Sequence, residues 1–238
     1  MHETAAALPP GQRAVQGFPR FGTHLGRRPP AVPEGYSISV DGPGFSASFL
    51  PEDLATMPRR ELRADFHCVS GWSATDIQWD GVAFATFYDL LVRPRLPDGV
   101  TVSHVLLCGL DGHESQLVLE DALGEDVMLA DRLEGEELGP DHGGPVRLVS
   151  PAQYGYQSCK HIRRIEFLTH ELNRELGTAH RLSRAALRGP FVVRHPRGRV
   201  WEEERHTFLP ARVLRPFYRR IYERAFRHGL GGDPPQAG

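Results

Sequence analysis

Apolar and polar positions alternate with a period of two over residues 36–40 and 45–50, on either side of Asp41-Gly42-Pro43-Gly44. Two half-buried strands joined by such turn residues predict an antiparallel hairpin. Pro51-Glu52-Asp53-Leu54 predicts the start of a short helix, residues 62–69 a strand, and residues 83–92 carry apolar side chains at helical spacing. Residues 102–107, 116–119, 146–150 and 162–168 are further predicted strands. Short strands and short helices without a regular βαβ alternation predict an α+β fold. Residues 1–34, rich in Pro, Gly and Arg, follow neither period and read as an extended arm.

Composition narrows the class. The chain has 238 residues, 40% of them hydrophobic and 24% charged, which suffices for one large domain with a sizeable core. A formal charge of -2 gives no reason to expect nucleic acid as a partner. Three widely spaced cysteines without a CxxC pair suggest neither a disulfide framework nor a structural zinc site. The N-terminus has no basic leader followed by an apolar stretch, so the expected location is cytoplasmic. The charge is unevenly distributed. Between Arg181 and His228 thirteen arginines face four glutamates, an excess of nine positive charges. Pro216 there predicts a helix start, with Phe217, Ile221 and Ala225, beside Tyr218, Tyr222 and Phe226, as its apolar stripe. Such a basic helix can wrap its own domain, dock a protein partner or membrane surface, or bind polyanions.

Candidate chemistry starts at Cys68, in Asp65-Phe66-His67-Cys68-Val69-Ser70-Gly71-Trp72-Ser73. Taken alone, an intracellular Cys reads as a small buried hydrophobe. Two later segments change that: His142-Gly143-Gly144-Pro145-Val146-Arg147 and Tyr154-Gly155-Tyr156-Gln157-Ser158-Cys159-Lys160. A thiolate suits a thiophilic metal, and one Cys suffices only where the metal brings its other ligands with it. Arg147 offers a planar fork for a phosphate or another oxyanion, and Lys160 a compact charge.

In this order and spacing, the three segments and Trp79-Asp80-Gly81-Val82 resemble the molybdenum-cofactor domain of the sulfite oxidase family, over residues 16 to 168. Bacterial members of that family include the catalytic subunits of methionine-sulfoxide-type reductases. The resemblance implies a sulfite-oxidase-type fold over residues 1–170, followed by an Arg-rich, partly helical extension over 171–238. It implies a molybdopterin with molybdenum, whose dithiolene supplies two sulfurs while Cys68 supplies a third. It also implies that His142, Arg147, Ser158, Cys159 and Lys160 hold the pterin and its phosphate. An N-terminal contact is implied within Gly17-Phe18-Pro19-Arg20-Phe21-Gly22-Thr23-His24, from Arg20 or from His24. The implied reaction is two-electron oxygen-atom transfer on a small-molecule substrate, with a separate electron-transfer partner. Two departures make sulfite a poor candidate: no Arg follows Cys68 closely, and no Tyr follows the last core strand until Tyr218. The family's cofactor-contacting Thr falls on Gly109, with Cys108 and Asp111 beside it. The alternative function is a non-catalytic molybdopterin-binding or carrier protein. A thiol enzyme using His67 as base for Cys68 is disfavoured, because neighbours on a strand point to opposite faces.

Overall fold

The structure, a computed structural model, describes residues 7–20, 28–172, 195–206 and 210–227. Its strands are β1 (Ala14–Val15), β2 (Ile38–Gly42), β3 (Phe45–Phe49), β4 (Arg60–His67), β5 (Ser73–Ala83), β6 (His104–Gly109), β7 (Glu114–Val118), β8 (Met128–Leu133), β9 (Glu136–Glu137), β10 (Arg147–Val149) and β11 (Ile162–Leu168). They form two sheets. In the first, β5 is the spine: β4 pairs antiparallel with it, β1 parallel at Ser73–Ala74, and β8 antiparallel over Trp79–Ala83. β10 and β9 both pair with β8. The second sheet has the order β3-β2-β11-β6-β7, with β2 and β11 parallel.

Alternation along the strands sorts side chains into three layers. Val82, Leu129 and Leu148 of the first sheet meet Ile38, Val40, Val105, Leu107, Ile165 and Phe167 of the second in the main core. That core is closed by Phe84 and Phe87 of helix α1 (Phe84–Phe87) and by Tyr88 and Val92 of the π-helical turn Tyr88–Val92. On the outer face of the first sheet lies a second cluster containing Cys68, Trp72, Ile77, Trp79 and Val149. On the outer face of the second sheet Leu106, Cys108 and Leu168 pack together, so Cys108 is a structural residue at a strand end.

The hairpin, the 3-10 helix Pro51–Thr56 and the strands at 60–67, 104–109, 114–118, 147–149 and 162–168 follow the sequence expectation closely. β5 and β8 were not expected from periodicity. β5 is buried on both faces over Gly81–Val82 and its pairing with β8 shifts register at Asp80/Gly81, so no clean alternation survives. At Gly81 a Cβ would lie 2.0 Å from the Leu129 carbonyl oxygen, which explains glycine at this crossing.

Helix α2 (Leu119–Ala122) is short; helix α3 (Ala211–Arg227) is long and contains Pro216 within it, not at its start. The first turn forms from Pro210, whose carbonyl accepts the Val213 N–H at 3.0 Å, so the helix tolerates the one backbone bond that Pro216 removes. Its inner contact is Leu214, 1% exposed, whereas Phe217 stands 39% exposed. Of the predicted apolar stripe, the side chains of Ile221, Tyr222, Ala225 and Phe226 lie outside what is described. None of the described helices is long and apolar enough to cross a membrane.

Candidate cofactor site

The outer face of the first sheet carries the site. Arg147 on β10 is fully buried, with its guanidinium over the rings of Trp79 (5.0 Å), Phe66 (5.4 Å) and Phe18 (5.8 Å). Its N–H groups donate to the carbonyls of Leu148 (3.2 Å), His142 (2.8 Å) and Ser158 (3.5 Å). Among the described residues no carboxylate pairs with it. A buried cation is costly without a counter-charge, and burial pulls the Arg147 pKa down to about 9, so it stays charged at neutral pH.

Around Arg147 the chain gathers further cations. Lys160 donates from Nζ to the Asp141 carbonyl at 3.1 Å, and Arg20 Nε lies 3.2 Å from the Asp141 carboxylate. Burial, then the charges of Arg147 and Arg20, lower the Lys160 pKa to about 7. His142 stacks on Phe18 (4.8 Å between centroids, 18°), and its buried Nδ1 has no hydrogen-bond partner. Burial, then Lys160 and Arg147, hold its pKa down at about 4, so its ring is neutral at physiological pH. The backbone is shaped to bring these groups together. Gly143 has φ +105°, and a Cβ there would lie 2.9 Å from Lys160 Cβ and Cγ.

Ser158 and Lys160 alternate with Cys159 across the first-sheet surface. Ser158 Oγ accepts the Ser150 N–H at 3.2 Å. Cys159 points the other way, into the main core, fully buried, and its N–H donates to the Gln157 carbonyl. Burial pushes its thiol pKa up. Neither its side chain nor its N–H is offered to the face that Arg147 and Lys160 share. Arg20, His142, Arg147, Ser158 and Lys160 are therefore brought together; Cys159 stands behind them; His24 lies outside the described residues.

Cys68 joins the same face through Phe66, two residues before it and beneath Arg147. It opens a tight loop, with its N–H on the Trp72 carbonyl at 2.8 Å and its carbonyl accepting from Gly71 N–H (2.9 Å) and Gln12 Nε2 (3.2 Å). Ser70 Oγ lies 3.0 Å from its Sγ. Ser73 donates its hydroxyl to Gln12 Oε1 at 3.2 Å, so the 2.7 Å contact between His67 Nδ1 and Ser73 Oγ has His67 as donor. His67 is thus tied to Ser73, and burial lowers its pKa, which leaves it poorly placed as a base for Cys68. Among the described residues no group of three or more His, Cys, Asp or Glu could hold a metal ion, so a metal at Cys68 needs ligands of its own.

Sequence reasoning did not find Gln12, Phe18, Phe66 or Arg205 as site residues. Arg205 is 1% exposed and donates to the carbonyls of Val69, Pro10 (3.4 Å) and Gly11 (3.3 Å), clamping the arm to the Cys68 loop. It meets Val69 across 136 positions of sequence and carries no local pattern that could flag it.

A buried cation without a carboxylate, an orphaned imidazole nitrogen and two further cations beside Asp141 fit an anionic, hydrogen-bonding cofactor. Comparison with known proteins agrees. Residues 25–175 match the family described as oxidoreductase molybdopterin binding domain. The uncharacterized oxidoreductase YuiH of Bacillus subtilis is 37% identical over 167 residues, covering 69% of this chain and 81% of its own. The protein-methionine-sulfoxide reductase catalytic subunit MsrP of Gluconobacter oxydans is 33% identical, over 50% of this chain and 42% of its own. Chicken sulfite oxidase is 31% identical, over 57% of this chain and 36% of its own. The chain thus spans less than half the length of these last two. The sulfane dehydrogenase SoxCD of Paracoccus pantotrophus superposes with a TM-score of 0.51 at 21% identity, over 60% of this chain and 41% of its own, a likeness of fold. The family match and YuiH together place the chain, as its segments predicted, in the sulfite oxidase family of molybdopterin-dependent oxidoreductases, whose cofactor is a molybdopterin carrying molybdenum.

Proposed function

We infer that this protein transfers an oxygen atom to or from a small-molecule substrate in a two-electron reaction, with Cys68 as the protein's ligand to molybdenum. The observation that carries the reading is the buried, carboxylate-free Arg147 on the same sheet face as the Cys68 loop. When bound, the cofactor supplies a two-electron redox centre able to exchange oxygen with a substrate. The chain's own residues do the rest. Arg147 and Lys160 bind phosphate and pterin oxygens, Arg20 and Ser158 line the same face, and neutral His142 offers its unpaired Nδ1 to a pterin N–H or O–H. The Ser70 hydroxyl, 3.0 Å from Cys68 Sγ, can donate to the thiolate and so draw charge from it, which raises the potential of a metal bound there. Gln12 and Arg205 hold the loop carbonyls and keep the thiolate from swinging. A separate partner would supply or accept the electrons singly. Sulfoxides are the first substrates to test, since MsrP bears the name of such a reductase.

The test pairs two variants, purified from a host that makes the cofactor, with molybdenum and pterin measured per chain. Cys68→Ala is expected to lose oxygen-transfer activity and most molybdenum while keeping pterin. Arg147→Met is expected to lose pterin by about ten- to a hundred-fold in affinity, the worth of a buried charge-assisted hydrogen bond. Full activity in Cys68→Ala would sink the metal assignment, whereas pterin binding without oxygen-transfer activity in the unaltered protein, unchanged in Cys68→Ala, would favour a carrier.

A further inference from the structure

Beside the Cys68 loop lies a pocket of about 290 Å³, room for roughly ten waters, that the cofactor face does not use. Three stretches far apart in sequence enclose it: Gly11–Arg13 of the arm, Ser70 and Gly71 of the loop, and Arg205 with the first half of α3. Its cations are unevenly matched. Arg215 is held by Glu203 (2.6 Å) and Arg219 by Glu223 (2.9 Å). Among the described residues no carboxylate pairs with Arg13 or Arg205, and the buried Nε of Arg205 has no acceptor. Of the remaining lining, the rings of Pro216 and Tyr218 are apolar, while Gln12 and the backbones of Gly11 and Gly71 are polar. Both glycines have positive φ, and a Cβ at Gly11 would lie 3.0 Å from Arg205 and one at Gly71 3.0 Å from the Gly11 carbonyl, so glycine at both positions lets the arm, the loop and Arg205 approach this closely. Ser70 belongs to both places, lining the pocket while its Oγ touches Cys68 Sγ.

We propose that the arm and the C-terminal segment close a substrate pocket against the Cys68 loop for an organic anion, a carboxylate or sulfonate with an apolar body of a few carbons. The anionic end is held by Arg13, with the charge of the buried Arg205 behind it, and the apolar body lies along Pro216 and Tyr218. Binding itself needs only this pocket; its role as the substrate site rests on the oxygen-transfer reading above. The pocket restores, from outside the region of family resemblance, positive charge that is missing after Cys68 in sequence.

Calorimetry on the full-length holoprotein tests this with 1-butanesulfonate, sulfate and 1-butanol as probes. Butanesulfonate is expected to bind at least ten-fold more tightly than sulfate, and butanol not to bind. Arg13→Glu and Arg205→Met are each expected to weaken butanesulfonate at least five-fold. Arg13 offers the safer variant, since its side chain holds no backbone. Equal binding of butanol, equal binding of sulfate, or undiminished binding in Arg13→Glu overturns the proposal. Molybdenum is measured in the same samples. Anion binding without molybdenum upholds the pocket and removes the enzyme reading, while molybdenum without anion binding removes the pocket alone.

Discussion

Charge state is decided by burial at the cofactor face, and this makes stability a function of pH with a definite sign. Lys160 has a pKa of about 7 in the folded protein against 10.5 for the ordinary side chain. Between those values the unfolded chain holds a proton that the folded chain has lost, so stability rises with pH through that window. His142, at about 4 against 6.5, acts with the same sign lower down. Thermal melts of cofactor-free protein from pH 7 to 9 should therefore show an upward contribution from Lys160 that Lys160→Met abolishes. An identical slope in the variant would disprove it. A bound anion reverses the balance, since the charged lysine then has a partner, and cofactor binding near pH 8 should take up a proton. Residue identity at this face was legible in the sequence wherever a side chain both belonged to a motif and pointed outward, as with His142, Arg147 and Lys160. Cys159 shows the limit: motif membership could not tell that alternation turns the middle of Ser158-Cys159-Lys160 into the core. Phe18 and Phe66 were hidden for the opposite reason, since an aromatic floor for a cation looks in sequence like ordinary core.

Among elements, the turn between the 3-10 helix Pro140–His142 and β10 sets the spacing of the cationic face. Gly143 combines a left-handed φ with a 2.9 Å approach to the Lys160 stem, so Gly143→Ala should cost about 1–3 kcal/mol and push Lys160 aside. Denaturant midpoints and pterin content check both halves, and a variant with full pterin content would show that Lys160 does not need this turn. The β2–β3 hairpin was readable because exposure alternates along its strands, whereas β6 and β10, buried on both faces, were readable as short apolar runs. The long β5 was not, because its faces are covered by two different clusters, Val82 in the main core and Ile77 and Trp79 beside Cys68, and its bulge interrupts the period. The helix at 211–227 was read with the right type and the wrong start, since Pro210 and Pro216 both suit a helix beginning and only packing of Leu214 chooses between them.

Among the described residues, the last strand of the two sheets ends at Leu168, yet Cys68 is 6% exposed partly because residues 195–206 lie against its loop. Tyr154 N–H on the Gly198 carbonyl and Arg197 on the Asp121 carboxylate fasten that segment to the body. A chain ending at Leu172 should keep its fold and, free of cofactor, react with iodoacetamide at Cys68 at least ten-fold faster. An unchanged rate would show that the C-terminal segment does not guard the thiol. The extension was legible as charge and as helix, but not as a clamp, because its contacts reach back almost the full length of the chain. The place of β11 in its sheet has a temporal meaning as well. It sits between β2 and β6 and pairs Arg164 with Ser39, so the two hairpins of that sheet have nothing to join them until the last strand has been made. At about 5–20 residues per second the ribosome needs roughly ten seconds to travel from one to the other. During that time the early hairpin waits with an open edge, a surface for chaperones to cover, and the cationic face proposed for the cofactor, whose His142, Arg147 and Lys160 lie just ahead of β11, is completed only then.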